Sequence, residues 1–161
     1  MSAKVYFIGD LHLGHKKILE FSGDYRGGNT VDEHDEWVIN QWNSVVTQRD
    51  VVYVLGDVAF TREGLLKCSR LNGHKKLILG NHDVFHVCAY QRVGFKVLPG
   101  LFKYKDYWLS HAPIHPAELR GRKNIHGYVH HKSIEDERYL NVSVENLTDG
   151  KPIFLEAIRH A

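Results

Sequence analysis

One local pattern occurs three times in the chain: an apolar run, a glycine, and then a carboxylate or its amide. The polar residues that close the three patterns are Asp10, Asp57 and Asn81. Ligands of open α/β sheets bind just beyond the carboxyl ends of strands, so three such ends would deliver three oxygen ligands to one edge. A single Gly-Asp or Gly-Asn turn is ordinary loop chemistry, and only the repetition indicates a site.

Histidine is unusually common, with 12 residues in a chain of 161. Several histidines follow the three patterns or end later apolar runs: His12, His15, His82, His111 and His130. Carboxylate oxygens and imidazole nitrogens mixed in one site suit first-row divalent cations. Because both Asp10 and Asp57 are present, the ligands suffice for two cations, and paired cations about 3.5–4 Å apart are used to cleave phosphate esters.

Apolar periodicity places these residues at the ends of strands. In the first half it predicts strands at Lys4–Ile8, Val51–Leu55 and Lys75–Leu79, and helices at Val31–Val46, Arg62–Leu71 and His86–Arg92. In the second half it predicts strands at Phe95–Leu98, Phe102–Tyr104, Tyr107–Ser110, Ile125–Val129, Tyr139–Val144 and Ile153–Arg159. The alternation favours an α/β protein with one mixed sheet or two packed sheets.

Composition excludes several classes of protein. Residues 1–161 fit a single domain, and 43% hydrophobic with 25% charged residues is typical of a globular protein. No apolar run is long enough for a membrane span, and we expect neither a signal peptide nor a membrane partner. Two cysteines cannot form a disulfide framework, which favours the cytoplasm. The net charge of +2 does not indicate nucleic acid as a partner, although it leaves that open, and nothing indicates the oligomeric state.

The ordered motifs resemble those of the calcineurin-like metallophosphoesterases, in particular their small bacterial, archaeal and phage phosphodiesterases. The motifs that carry the resemblance are Asp10-Leu11-His12, Gly56-Asp57, Gly80-Asn81-His82-Asp83, Ser110-His111 and Gly127-Tyr128-Val129-His130. The resemblance implies a four-layer α/β/β/α sandwich of two mixed sheets flanked by helices. It also implies a metal-dependent phosphodiesterase that uses two divalent cations and a metal-bridging hydroxide. Mn²⁺ is the expected ion, and Fe, Zn, Ni or Mg are alternatives.

The resemblance also assigns roles to individual residues. The first metal would take Asp10, His12, Asp57 and His130. The second would take Asp57, Asn81, His111 and the first histidine of a Gly-His-x-His motif, so that Asp57 bridges the two ions. Two further residues would act in catalysis: His82 would contact the phosphate, and Asp83 could hold its imidazole by accepting the other N–H.

Tyr128 departs from this pattern because it stands where the motif has its first histidine. A neutral phenol is a poor ligand for a divalent cation at neutral pH, so the second metal site is expected to be weak. Three explanations remain open: a natural but weak site, partial substitution by His126 or His131, or an introduced change at position 128. Strand alternation would point residues 128 and 130 to one face and residue 131 to the other.

Two further residues are candidates for substrate contact. His15 follows the first motif in a loop, and Arg26 lies in a glycine-rich loop and could match phosphate oxygens with its fork of donors. The expected substrate is a small or extended phosphodiester. The alternatives are a nuclease acting on DNA or RNA ends, and a weakened metal- or nucleotide-binding module, which Tyr128 suggests.

Overall fold

The computed structural model describes residues 2–160, in which nine strands form two mixed sheets. The strands are β1 Val5–Ile8, β2 Val51–Val54, β3 His74–Leu77, β4 Phe95–Val97, β5 Leu101–Tyr104, β6 Tyr107–Ser110, β7 Lys123–His126, β8 Tyr139–Asn141 and β9 Ile153–Phe154. The α-helices are α1 Ile18–Ser22, α2 Val31–Asn43, α3 Arg62–Lys67, α4 Val87–Arg92 and α5 Leu155–Arg159.

The first sheet has the order β4-β3-β2-β1-β9, with β1 to β4 parallel and β9 antiparallel at the edge. The second has the order β5-β6-β7-β8, with β6, β7 and β8 parallel. Apolar side chains of both sheets pack against each other between them, among them Phe7, Tyr53, Leu109 and Ile125. The predicted α/β sandwich of two mixed sheets flanked by helices is therefore confirmed.

Helices α2, α3 and α4 cover the outer face of the first sheet. Thr30 caps α2 by accepting the backbone N–H of Glu33, and Val38, Ile39 and Trp42 are buried at helical spacing against the strands. On the second sheet, the outward-facing Trp108 donates its indole N–H to the carbonyl of Leu119. That residue follows a short 3₁₀ helix, Pro116–Glu118, which is the helical cover on this side.

Three segments differ from the sequence-based expectation. Residues 153–159 were expected to form one strand, but β9 has two residues and α5 follows it, because Leu155 and Ile158 bury one helical face between the sheets. Residues 127–130 form a loop, and α1 lies where no helix was predicted. Within residues 2–160 no helix is long and apolar enough to cross a membrane.

Candidate metal centre

The carboxyl ends of strands from both sheets meet at one edge of the sandwich. Asp10 and Asp57 follow β1 and β2 by two and three residues, and His111 directly follows β6. The sheets are joined there, because the backbone N–H of Gly9 donates to the carbonyl of Val142 at 2.9 Å. This junction brings residues more than 100 positions apart into one cluster.

Glycines allow the loops to approach the clustered carboxylates. A Cβ on Gly127 would lie 2.5 Å from Asp10 Oδ2, and one on Gly80 would collide with the carboxylate of Asp57. Gly56 has φ +88°, in the left-handed region that glycine adopts without strain. These three motif glycines therefore serve close approach and sharp turns.

Asp10, His12 and His130 form the first ligand group, in which one potential ligand atom of each lies within 4.8 Å of the others. Asp10 Oδ2 accepts hydrogen bonds from Ser143 Oγ at 2.7 Å and from the Tyr128 backbone N–H at 2.9 Å. Asp10 Oδ1 and His12 Nε2 lie 3.8 Å apart, and both are buried without a hydrogen-bond partner among the described residues. An unpaired carboxylate oxygen and an unpaired imidazole nitrogen facing each other suit a divalent cation.

The second ligand group is built around Asp57. Its Oδ2 lies 3.7 Å from His12 Nε2 and 3.4 Å from His111 Nε2, so a single oxygen stands between two imidazoles. His111 Nδ1 donates to the Leu55 carbonyl at 2.6 Å, which directs Nε2 toward Asp57 and toward Asn81 Oδ1, 3.0 Å away. Asp10, Asp57 and His111 likewise have potential ligand atoms within 4.8 Å of one another, so the two groups share Asp10.

His130 is held by a buried ion pair that the motifs do not contain. Its Nδ1 lies 3.0 Å from Glu145 Oε1, and Glu145 in turn pairs with the guanidinium of Arg26. The Arg26 side chain is fully buried and also donates to the carbonyls of Asp10 and Leu11. The expectation that Arg26 contacts substrate is therefore wrong: its donors are used inside the protein. Glu145 was missed because nothing in its local sequence marks it.

His12 is held in a similar way by His15. The two Nδ1 atoms lie 3.1 Å apart, within one hydrogen bond, and the His15 ring stacks on Phe60 with centroids 4.1 Å apart. His15 thus lies at the site, half-buried beside the ligand that it orients, and a substrate contact remains a prediction.

Asp83 does not hold the imidazole of His82, contrary to expectation. Its two carboxylate oxygens accept the backbone N–H groups of Asp57, Val58 and Gly80 at 2.7–2.9 Å. The backbone N–H of His82 donates to Asp57 Oδ1 at 2.9 Å, while its side chain is exposed. Asp83 therefore fixes the loops that carry the ligands, and His82 faces solvent above the cluster.

Tyr128 lies in a loop rather than on a strand, so the alternation argument for residues 128 to 131 was wrong. Its backbone N–H is committed to Asp10, its side chain is 47% exposed, and its ring meets the His111 ring edge-on with centroids 5.4 Å apart. The residue therefore stands beside the second ligand group, as the motif predicts.

Neither alternative histidine belongs to a ligand cluster within residues 2–160. His126 is buried, and its Nδ1 donates to the carbonyl of Gly127 at 2.8 Å. His131 is exposed and stacks on Tyr25 with centroids 5.2 Å apart. Substitution for the missing ligand at position 128 thus gains no support from either.

The electrostatics of the two groups differ. Burial lowers the pKa of His12 to about 4. Burial also lowers the pKa of His111, but the hydrogen bond to Asp57 and the charges of Asp10 and Asp57 outweigh it and raise the value to about 9. Glu145 raises the pKa of His130 through its hydrogen bond. Without a metal, the cluster thus contains the imidazole of His12, which resists protonation, and that of His111, which retains its proton.

Several site residues have positive φ, which residues other than glycine rarely adopt. They are Asp10 (60°), His12 (55°), Asp57 (55°), Tyr128 (74°) and His130 (54°). Each such conformation costs of order 1–3 kcal/mol and persists where the surrounding structure enforces it, typically at functional sites.

Comparisons with known proteins identify relatives and similar folds. No protein-family model matches the chain. Among solved structures, a protein of unknown function from Aquifex aeolicus, AQ665, is 25% identical with TM-score 0.75, and each chain is covered to 99%. Pseudomonas putida nuclease MPE is 19% identical with TM-score 0.56, covering 78% of this chain and 61% of that one. An archaeal phosphodiesterase is 15% identical with TM-score 0.50, covering 87% and 82%. The last two similarities concern the fold alone.

Two relatives share 30% identity with the chain. One is the uncharacterized protein MJ1445 of Methanocaldococcus jannaschii, aligned over 96% of this chain and 89% of its own length. The other is the gene 66 protein of Mycobacterium phage L5, aligned over 80% and 78%. The chain therefore belongs to the protein family that contains MJ1445 and the mycobacteriophage gene 66 protein.

Proposed function

We propose that the protein is a metal-dependent phosphodiesterase of the calcineurin-like type, with a centre for two divalent cations, Mn²⁺ first among them. The observation that carries the proposal is the position of Asp57 Oδ2, 3.7 Å from His12 Nε2 and 3.4 Å from His111 Nε2. An acidic oxygen close to two imidazole nitrogens supports a carboxylate shared by two cations.

The residues fit such ions. Asp10 Oδ1 and His12 Nε2 are buried polar atoms without a hydrogen-bond partner among residues 2–160, and buried polar groups ordinarily have one. The first ion would be held by Asp10, His12, Asp57 and His130, and the second by Asp57, Asn81 and His111. When bound, divalent cations lower the pKa of water and offset the charge of phosphoryl oxygens.

The other residues orient the ligands or meet the substrate. Each histidine ligand has its second ring nitrogen bound by another residue: His111 by the carbonyl of Leu55, His12 by His15, and His130 by Glu145. Such partners fix both the tautomer and the orientation of the ring. His82 is free to face the substrate, because only its backbone is bound to Asp57. In the proposed reaction its imidazole donates a hydrogen bond to a phosphoryl oxygen and helps the leaving group depart.

The comparisons support phosphodiesters as the substrate class. Two solved proteins of similar fold are, by name, a nuclease and a phosphodiesterase. The order of the motifs over residues 10–130 points the same way. The net charge of +2 gives no electrostatic footprint for a long polyanion, so nuclease action on DNA or RNA ends is the second candidate.

Hydrolysis of aryl phosphates tests the proposal. The protein is stripped of metal, the stripping is checked by elemental analysis, and turnover of bis(p-nitrophenyl) phosphate and of p-nitrophenyl phosphate is measured with and without Mn²⁺. We expect turnover of the diester only with the metal, and slower turnover of the monoester. Full activity after verified metal removal, or no activity with any divalent ion, would contradict the proposal.

A further inference from the structure

A cavity of about 660 Å³ opens beside the metal centre. One wall is polar and contains His12, Asn81 and His130 of the two ligand groups. The lining also contains apolar side chains from α1 and two loops: Ile18, Phe21, Phe60 and Val129. A phosphodiester at the metals would therefore have apolar side chains of the same cavity available to one of its substituents.

Four aromatic rings follow one another along this cavity. Their centroids are separated by 6.1 Å from Phe21 to His15, 4.1 Å from His15 to Phe60, and 4.8 Å from Phe60 to His82. The last ring in this row of aromatic side chains is that of His82, the proposed catalytic histidine. The outer end is Phe21, whose side chain is 66% exposed and presents a ring to solvent.

Further exposed rings lie in or beside this cavity. His131 lines the cavity and stacks on Tyr25 at an interplanar angle of 7°, and Tyr128 is 47% exposed. Lys132 adds a positive charge to the same lining. Aromatic rings and a positive charge are thus available around one cavity.

We propose that this cavity binds the base of a nucleoside phosphodiester, with Phe21 as a stacking platform; this rests on the proposed function. Flat aromatic faces favour a planar base, because every base has a π-face and stacks with little sequence preference. An acyl chain would instead call for a long aliphatic groove, and only Ile18 and Val129 among the lining residues are aliphatic. The substrate class is thus a nucleotide ester or the end of a single strand.

Two substrates with the same leaving group test the inference: thymidine 5′-(p-nitrophenyl phosphate) and ethyl p-nitrophenyl phosphate. In the Mn²⁺-loaded protein we expect kcat/KM for the thymidine ester to be about 10-fold higher, the size expected for stacking one base on an aromatic side chain. Phe21→Ala should reduce this ratio toward 1, and Phe21→Leu should do so too, because it keeps apolar bulk but lacks the flat ring. Leu66→Ala is the matched control, since Leu66 is 65% exposed on α3 outside the cavity lining, and it should leave the ratio unchanged.

The outcomes separate this inference from the proposed function. Hydrolysis of both esters at equal kcat/KM, or a preference that survives Phe21→Ala in a folded variant, would overturn the base-binding site and leave the phosphodiesterase intact. If neither ester is hydrolysed, binding decides: thymidine 5′-monophosphate should bind more tightly than inorganic phosphate and perturb the NMR signals of Phe21 and His15. Equal affinity for the two would overturn the inference.

Discussion

The two ligand groups differ in how much of the chain supports them. In the first, His12 is bound by His15, and His130 by the buried pair of Glu145 and Arg26. In the second, Asp83 fixes the backbone of the loops that carry Asp57 and Asn81. The side chain of His111 is held outside the group by one backbone carbonyl, and Asn81 is exposed. A ligand held in place beforehand loses less conformational entropy on binding, so we expect the first group to bind its ion more tightly.

In the proposed function the carboxylate of Asp57 is shared by the two ions, so Asp57→Asn should have the largest effect. One oxygen of Asp57 faces both His12 and His111, so removing its charge should weaken the binding of both ions. We therefore expect turnover of an aryl diester to fall by at least about 100-fold. Asp106→Asn, at an exposed position after β5, is the control. Near-normal turnover of Asp57→Asn at saturating Mn²⁺ would show that the groups share no carboxylate there.

Glu145→Gln tests the support of the first group alone. It weakens the hydrogen bond that orients His130, and changes to such partners typically cost about 10–100-fold in metal affinity. Affinity for the tighter ion should fall by that factor, as measured by calorimetry. The variant is expected to be less stable because Arg26 loses its buried partner, so the measurement is made at a temperature where the variant is folded. Glu36→Gln removes an exposed ion pair with Arg70 and should leave affinity unchanged. If the variant bound both ions more weakly by the same factor, the expectation that Glu145 supports the first group alone would be contradicted.

Tyr128→His should strengthen the second group. The side chain stands beside His111, and an imidazole there would add the nitrogen ligand that the phenol does not supply. We expect the weaker ion to bind several-fold more tightly and turnover at low Mn²⁺ to rise with it, with Leu101→His, at an exposed position on β5, as the control. Two equally tight ions in the unmodified protein would show that position 128 is not limiting.

The smallest expected effect is the dependence of stability on pH in the metal-free protein, through the protonation of His12 and His111. The pKa of His111 is raised to about 9, so its contribution to the free energy of unfolding is complete below about 6.5 and is lost as the pH rises through 9. The pKa of His12 is lowered to about 4, so its contribution is complete above about 6.5 and is lost as the pH falls through 4. NMR titration of the imidazole protons should give midpoints on opposite sides of 6.5, and two midpoints near 6.5 would contradict the described environments.

The sequence predicted the parts of this site that lie in short motifs. Asp10, Asp57 and His111 follow strands whose apolar pattern is local, so their convergence could be foreseen from strand direction. Glu145 could not be foreseen, because it reaches His130 only through the junction of the two sheets. Arg26 was only a candidate for substrate contact, and its burial could not be foreseen because its partner Glu145 is 119 residues away.

The prediction of secondary structure was wrong where tertiary contacts decide the local conformation. Ile153–Arg159 reads as a strand, yet Leu155 and Ile158 are three apart and bury one face of α5. Val129 and its neighbours read as the end of a strand, yet Tyr128 and His130 have positive φ. Such backbone conformations are imposed by contacts around the carboxylate of Asp10, which the local sequence does not specify.

An anomalous-scattering map of crystals grown with Mn²⁺ tests the central proposal, that two ions share the carboxylate of Asp57, most directly. We predict two peaks about 3.5–4 Å apart on either side of the Asp57 carboxylate, the one beside His12 and His130 more fully occupied than the one beside His111. A single peak away from Asp57, or no peak at any Mn²⁺ concentration, would contradict it.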